Sequence, residues 1–206
     1  MENTVTNKDF SIGEAYRFGW QTTKANFGFL LGFMILGWIL QMIPNYASEV
    51  TKDSALISFI LIIVSWVVSI IVGIGFVKTG LRLCNNEKGE FSDLYSHWNL
   101  FWPFFAMSIL NGLAVMGGIL LLIIPGIILA IRLQFAPYLV VEKGSGPIEA
   151  LKQSWALTQG LTIKLFLFGL VGFFINIAGA LCLFVGLFVS VPVTWLGALY
   201  VYKKFA

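Results

Sequence analysis

The chain has 206 residues, of which 58% are hydrophobic and 11% are charged, and its mean hydropathy is +0.88. Soluble domains contain about 45–50% apolar and about 25% charged residues, so this composition excludes a soluble globular domain. It predicts one all-α membrane domain over residues 1–206. The net charge of +3 is expected to come from basic flanks of membrane spans, and no nucleic-acid partner is predicted.

The first predicted element is a short amphipathic helix that begins after Ser11. Ser11 and Glu14 form the S-x-x-E pattern of a capping box at a helix N-terminus. Apolar, aromatic and small residues then recur at the spacing of one helical face, at Ile12, Ala15, Tyr16, Gly19 and Trp20. We expect this helix to lie in the headgroup layer of a membrane, with Trp20 and Arg17 as anchors.

Six apolar segments follow, and each is a candidate membrane span. They cover residues 27–43, 55–77, 102–124, 126–141, 161–180 and 183–202. The run from 102 to 141 would make a helix of roughly 60 Å, about twice the thickness of the hydrocarbon core, so it must fold back. Pro125 and Gly126 are the predicted turn, and another reversal is expected between Gly179 and Gly186. The six spans therefore form three hairpins.

The distribution of lysine and arginine predicts the orientation. With six crossings, one side of the membrane carries eleven of these residues: Lys8, Arg17, Lys24, Lys78, Arg82, Lys88, Lys143, Lys152, Lys164, Lys203 and Lys204. The other side carries only Lys52. This asymmetry predicts a multi-pass protein of the bacterial inner membrane, the cell membrane, with both termini in the cytoplasm.

Two further segments are similar to the first amphipathic helix, and each precedes a hairpin. The segment 146–159 pairs Glu149 and Ala150 with Glu14 and Ala15, Lys152 with Arg17, Ser154 with Gly19, Trp155 with Trp20, and Thr158 with Thr23. A weaker copy begins at Ser92, with its apolar face at Leu94, Tyr95, Trp98, Phe101 and Trp102. We predict three repeats, over residues 10–84, 91–143 and 146–204, with Trp98, Trp155 and Lys152 as further interfacial anchors.

Arg132 is the one charged residue left inside the membrane, since Lys164 lies near the cytoplasmic end of its predicted span. The insertion of Arg132 costs about 2.5 to 3.5 kcal/mol. None of the predicted spans contains an acid. Its candidate partners are therefore Asn111, Gln134 and Asn176, unpaired backbone carbonyls, or an anion such as a lipid phosphate. Alternatively, Arg132 bonds carbonyls as a packing element or extends to the nearby outer surface of the membrane.

Small residues predict close helix packing in two places. Gly28 and Gly32 form a GxxxG pair, and a small residue recurs every four positions at Gly186, Ser190, Thr194 and Ala198. We expect both patterns to pack inside the bundle. The alternative is an interface of a homo-oligomer.

The sequence offers little catalytic chemistry. His97 is the only histidine, and Asp93 precedes it by one turn, but no serine, thiol or metal cluster completes a site. The two cysteines are too few to form a metal site. The protein is therefore predicted not to be an enzyme, with no cofactor and no metal.

The segment IPGIILAIRLQFAPYLVVEKGSGPIEALKQSWALTQG, residues 124–160, resembles the membrane domain of the glycerophosphoryl diester phosphodiesterase membrane-domain family. The resemblance includes Pro125, Gly126, Arg132, Gly146, Glu149, Ala150, Leu151, Ser154, Trp155 and Gly160. In members that are phosphodiesterases, the chemistry belongs to an appended soluble metal-dependent domain, and no such domain is expected within residues 1–206. The resemblance thus implies a six-helix bacterial inner-membrane protein without an established biochemical activity.

Two functions fit these features. The first is a non-enzymatic protein that organises or senses membrane lipids through its interfacial helices and Arg132. The alternative is a small transporter or permease component, in which Arg132, Asn111, Gln134 and Asn176 line a polar path. A polar cavity that converges on Arg132 and opens to one side would favour transport.

Overall fold

The computed structural model of the protein describes residues 9–50, 54–182 and 184–206, and within them every regular element is helical. The α-helices are α1 (Ile12–Ala25), α2 (Phe27–Val50), α3 (Ala55–Cys84), α4 (Phe101–Leu121), α5 (Ile123–Leu133), α6 (Ala136–Lys143), α7 (Pro147–Leu157), α8 (Thr162–Leu181) and α9 (Leu187–Phe205). Two 3₁₀ helices, Phe91–Leu94 and Trp98–Leu100, precede α4. The predicted all-α class is confirmed.

Four helical segments are long and apolar enough to cross a membrane. They are Ala55–Cys84, Phe91–Leu121, Ile123–Lys143 and Thr162–Leu181. A fifth candidate is the pair Ile12–Ala25 and Phe27–Ile43, whose two helices meet at 88°. These segments indicate a membrane protein with four or five candidate spans among the described residues, whereas the sequence predicts six. Lys8, Lys52 and the first residue of the sixth predicted span lie outside the described residues.

The first amphipathic helix forms as α1, and its N-terminus is capped as predicted. The Ser11 side-chain oxygen accepts a hydrogen bond from the backbone N–H of Glu14 at 3.3 Å. The buried positions of α1 are Ala15, Gly19 and Thr23. Trp20, predicted to share the anchoring face, is 52% exposed. The fully buried positions of the helix are therefore small residues, and its tryptophan is not among them.

The contact surface of α1 is provided by the last two helices of the chain. A Cβ atom added to Gly19 would lie closer than 3.0 Å to the carbonyl oxygen of Val193 and 3.1 Å from the backbone nitrogen of Gly197, both in α9. The Tyr16 hydroxyl donates a hydrogen bond to the carbonyl of Phe168 in α8 at 2.6 Å. The two ends of the chain thus pack together, with backbone against backbone.

The prediction of a third amphipathic helix is wrong, because the chain from Ser92 forms two short 3₁₀ helices instead of one α-helix. Leu94 is buried as predicted, whereas Trp98 is 59% exposed and Trp102 is 72% exposed. The hydroxyl of Ser92 bonds the side chain of Glu90 and makes no bond that caps a helix. The predicted apolar face is therefore divided between a buried part and an exposed part.

Asp93 explains why the chain bends here. Its side chain is 2% exposed; it accepts a hydrogen bond from the Thr79 hydroxyl at 3.1 Å and lies 3.6 Å from Nε of Arg82. A Cβ atom added to Gly75 would lie 2.6 Å from the carbonyl oxygen of Asp93. The first 3₁₀ helix is thereby held against the C-terminal half of α3. Among the described residues, Asp93 makes no hydrogen bond to His97.

We expect Asp93→Ala to lower the free energy of unfolding by about 1 to 3 kcal/mol, because it leaves the buried hydroxyl of Thr79 without an acceptor. Thermal unfolding in detergent would measure this change. The control is Glu90→Gln, since Glu90 is exposed and water screens its ion pair with Arg82, so little stability should be lost. The hydrogen bond from Arg82 lowers the pKa of the Glu90 carboxyl. An equal loss in both variants would contradict the anchoring role of Asp93.

The predicted position of the turn, at Pro125 and Gly126, is also wrong, since the chain reverses at Leu122. Leu122 is extended, with φ −163° and ψ 143°, and it separates α4 from α5. Pro125 lies in the first turn of α5, where a backbone N–H has no intrahelical partner, so proline costs nothing there. A Cβ atom added to Gly126 would lie 2.7 Å from the backbone nitrogen of Ile119 in α4. The glycine therefore allows close helix approach and does not form the turn.

The reversal predicted between Gly179 and Gly186 is found, because α8 ends and α9 begins within a few residues of these glycines. A Cβ atom added to Gly186 would lie 2.5 Å from the carbonyl oxygen of Gly179, and one added to Gly172 would lie 3.5 Å from Thr194. Gly186 and Thr194 thus lie against α8, which agrees with the predicted internal packing at these two positions of the stripe.

The Gly28 and Gly32 pair does not join two helices among the described residues. A Cβ atom on Gly28 would meet no atom within 4 Å, and one on Gly32 would meet only the ring of Phe91, at 3.4 Å. The predicted internal packing of this pair is therefore wrong. A GxxxG pattern permits close approach without requiring it.

Candidate functional site

Arg132 lies in the last turn of α5, where its guanidinium group stacks on Trp155 of α7. The guanidinium carbon is 3.6 Å from the centre of the Trp155 ring. Nη2 of Arg132 donates to the carbonyl oxygen of Trp155 at 3.5 Å. A cation over a tryptophan face is stabilised by roughly 0.5 to 2 kcal/mol, depending on its exposure to water. Trp155 therefore orients a charged group that the sequence analysis left without a defined partner.

The backbone beneath Arg132 is held by the same helix, α7. The helix breaks between α5 and α6, two residues before Pro137, which has no N–H to donate. The Ser154 hydroxyl accepts a hydrogen bond from the backbone N–H of Phe135 at 3.2 Å and donates to the carbonyl of Arg132 at 2.8 Å. The Thr158 hydroxyl lies 3.1 Å from the same carbonyl. Both hydroxyl-bearing residues are fully buried.

Sequence reasoning did not assign a role to Ser154 or Thr158, although a signal for both was present. These residues align with Gly19 and Thr23 of α1, and the four positions are buried in the structure. The aligned alanines, Ala15 and Ala150, are also fully buried. Shared burial at aligned positions supports the similarity of α1 and α7, and it identifies the face through which each helix contacts the backbone of a neighbour.

Each of the four predicted ligand residues has a buried polar atom without a hydrogen-bond partner among the described residues. These atoms are Nε of Arg132, Nε2 of Gln134, Oδ1 of Asn111 and Oδ1 of Asn176. Within the described parts of the chain, no carboxylate lies within ion-pair distance of Arg132. The site therefore combines an oriented positive charge with unused hydrogen-bonding capacity.

The four predicted ligand residues are not joined into one cluster. Nδ2 of Asn176 lies 3.4 Å from the Thr194 hydroxyl, a contact between α8 and α9. Among the described residues, no hydrogen bond links Arg132, Asn111, Gln134 and Asn176 to one another. The observed partner of Arg132 is Trp155, which the sequence analysis had assigned a separate role as an interfacial anchor.

Arg132 also lies farther from the helix reversal than the sequence suggested. The ten residues from Leu122 to Arg132 correspond to about 15 Å of helix, and the Arg132 side chain ends against α7. On α7, Lys152 is exposed and precedes Trp155 by three residues, so the two share one side of the helix. Arg132 is therefore associated with α7, and not with the reversal at Leu122.

Charged residues from distant parts of the chain meet at one end of the bundle. Nζ of Lys203 in α9 lies 2.5 Å from the Glu142 carboxylate at the end of α6. Lys164, at the start of α8, pairs with Asp9, which precedes α1. The hydrogen bond from Lys164 lowers the pKa of the Asp9 carboxyl. Three of the charged segments predicted to lie on one side of the membrane are therefore neighbours.

A protein-family model described as Domain of unknown function (DUF7847) matches residues 54–203. The matched region runs from the start of α3 to the last turn of α9, and it contains both Arg132 and Trp155. No curated protein and no solved structure matches the chain.

Proposed function

Because the chain belongs to the family of unknown function DUF7847, we propose its function from the geometry of the site. The protein is a non-enzymatic, multi-pass protein of the bacterial cell membrane that organises or senses lipids by binding anionic headgroups at Arg132. One observation carries this proposal. The guanidinium group is fixed on the Trp155 ring, yet its Nε is unpaired and no carboxylate of the described residues neutralises it.

Phosphate is the anion that fits this group best. A guanidinium presents donors in a planar fork that matches two phosphate oxygens, and its charge strengthens both hydrogen bonds. Stacking on Trp155 restricts the rotation of the Arg132 side chain, so less conformational entropy is lost when a ligand binds. The exposed Lys152 on the same side of α7 supplies a second positive charge for the headgroup.

In the proposed topology, the chain crosses the membrane six times as three hairpins, and both termini are cytoplasmic. The cluster of charged residues around Glu142, Lys203 and Lys164 supports this arrangement, because the ends of three helices meet there. With α7 in the inner headgroup layer, Arg132 binds lipids of the cytoplasmic leaflet. This orientation differs from the sequence-based expectation that Arg132 lies near the outer surface.

The alternative function, transport along a polar path, lacks comparable support. Its four lining residues are not joined by hydrogen bonds, and Asn176 pairs with Thr194 in a different pair of helices. Headgroup binding needs only Arg132 and its neighbours on α7. It is therefore the function that the geometry favours.

We expect Arg132→Gln to retain phosphatidylglycerol about 10- to 100-fold more weakly than the unmodified protein. This range corresponds to the roughly 1.5 to 3 kcal/mol of a charge-assisted hydrogen bond. The measurement is native mass spectrometry of purified protein titrated with phosphatidylglycerol, and with phosphatidylcholine for comparison. Only phosphatidylglycerol retention should fall.

The matched control is Lys88→Gln, which removes one positive charge from an exposed position outside the site. Arg132→Lys keeps the charge but loses the planar fork, so we expect intermediate retention of phosphatidylglycerol. Equal retention by Arg132→Gln and Lys88→Gln would show that net charge alone attracts the lipid, and it would refute the site.

A further inference from the structure

A second candidate site is an apolar groove between α3 and α4. The groove has a volume of about 610 Å³ and no polar atom lines it. Its walls are five residues of α3, between 62 and 70, and four aromatic residues between 98 and 105. We call it the α3–α4 groove.

The α3–α4 groove is elongated. A neighbouring cavity of about 350 Å³ shares Trp66, Ile70 and Phe105 with it and extends along α4 to Ile109. Beyond this groove, the two helices are in contact where the ring of Phe104 lies 3.8 Å from a Cβ atom added to Gly73. A long, narrow space of this kind suits a flexible chain better than a compact ligand.

The chemistry of the walls limits what can occupy the groove. Ordered water is disfavoured in the 610 Å³ part, because a buried water needs two to four polar partners and these walls offer none; Ser69 and Ser108 line only the neighbouring cavity. The nine lining residues are far fewer than the about 20 to 30 residues that each side of a stable protein interface contributes, which favours a smaller occupant. An empty space of this volume would lose the dispersion contacts of every wall residue. A hydrocarbon chain is the occupant that remains.

We propose that the α3–α4 groove binds one acyl chain of a membrane phospholipid. Both walls belong to segments that are long and apolar enough to cross a membrane. Trp98 and Trp102, 59% and 72% exposed, lie at one end, and tryptophan is typical of the level where headgroups meet hydrocarbon. The chain enters at this end and runs along α4 toward Ile109. The site requires the proposed membrane location but is independent of Arg132.

The test uses phosphatidylcholine with a photoreactive diazirine in one acyl chain, incorporated with the unmodified protein into phosphatidylcholine nanodiscs. After illumination and digestion, mass spectrometry locates the adducts. We expect severalfold more adducts at Trp66 and Phe105 than at Leu56 and Phe59. Leu56 and Phe59 lie in α3 outside the groove and are 73% and 64% exposed. If the amount of adduct at each residue depends only on the exposed fraction of its side chain, the proposal is overturned.

Val67→Trp fills the groove and should reduce the adducts at Phe105 severalfold. The control is Ile60→Trp, which adds the same side chain at an exposed position of α3 outside the groove and should change nothing. Absence of adducts at Trp66 and Phe105 in the unmodified protein would show that no acyl chain occupies the groove and would also overturn the proposal. Phosphatidylcholine has no net negative charge, so this labelling does not depend on anion binding at Arg132. A negative labelling result is therefore distinguishable from a failure of headgroup binding at Arg132.

Discussion

Gly19→Ala is expected to lower the free energy of unfolding by about 1 to 3 kcal/mol or more, which is the cost of overpacking a close contact. The added methyl group would collide with the carbonyl oxygen of Val193. Because this atom belongs to the backbone of α9, the collision cannot be relieved by rotating a side chain. The helices must separate, and α1 loses its main contact. Thermal unfolding in detergent measures the loss.

The same helix provides the control for this substitution. Gly13 lies in α1, and a Cβ atom there would meet only the Ser11 side chain, at 3.8 Å. Alanine is a better helix former than glycine by up to about 1 kcal/mol, so Gly13→Ala should be neutral or slightly stabilising. The two substitutions make the same chemical change and should have opposite effects. If both stabilise the protein, α1 does not pack on α9 through Gly19.

Trypsin provides a local readout for the same pair of variants. Arg17 and Lys24 are the cleavage sites within α1, and a protease cuts a helix only when it opens locally. Release of α1 from α9 should accelerate cleavage at both sites in Gly19→Ala, while Gly13→Ala is cut at the rate of the unmodified protein. Equal cleavage rates would contradict the packing role of Gly19.

Ser154→Ala should cost about 1 to 3 kcal/mol, because it leaves the buried N–H of Phe135 without an acceptor. It also removes one of the two hydroxyls at the carbonyl of Arg132. Thermal unfolding of the variant measures the loss of stability. The control is Ser92→Ala, whose hydroxyl bonds only the exposed Glu90 side chain and whose removal should change stability by less than about 0.5 kcal/mol.

Ser154→Ala also tests the link between the helix break and the proposed lipid site. Ser154 holds the backbone of Arg132, so its loss should loosen the stacking on Trp155 and weaken phosphatidylglycerol retention, but less than Arg132→Gln does. A Ser154→Ala protein that loses stability while it binds the lipid normally would show that the break and the site are independent.

The errors at Pro125 and Gly126 and at the third amphipathic segment have one physical cause. A short segment of sequence is compatible with several local structures, and the choice among them depends on neighbouring elements. Gly126 is required because Ile119 lies against it, and the chain bends after Asp93 because Thr79 and Arg82 of α3 hold that carboxylate. Neither contact can be recognised from the local pattern of residues.

The location of Arg132 illustrates the same limit. The sequence is enough to infer the free-energy cost of placing Arg132 in an apolar segment. It also shows that the predicted spans contain no acidic residue, since both inferences depend only on residue types. The stacking of Arg132 on Trp155 could not be inferred, although the sequence analysis names both residues as candidates for a functional role. The pairing depends on the break before Pro137 and on the packing of α7, which are settled only when the helices assemble.

The sequence alone determined the helical class, the apolar segments, the Ser11 cap and the reversal near Gly179 and Gly186. These features follow from composition, periodicity and contacts between residues close in the chain. The tertiary structure alone decided that α1 packs on α9 and that an apolar groove remains between α3 and α4. These features depend on contacts between distant segments, and an apolar helix surface by itself does not specify which neighbour covers it.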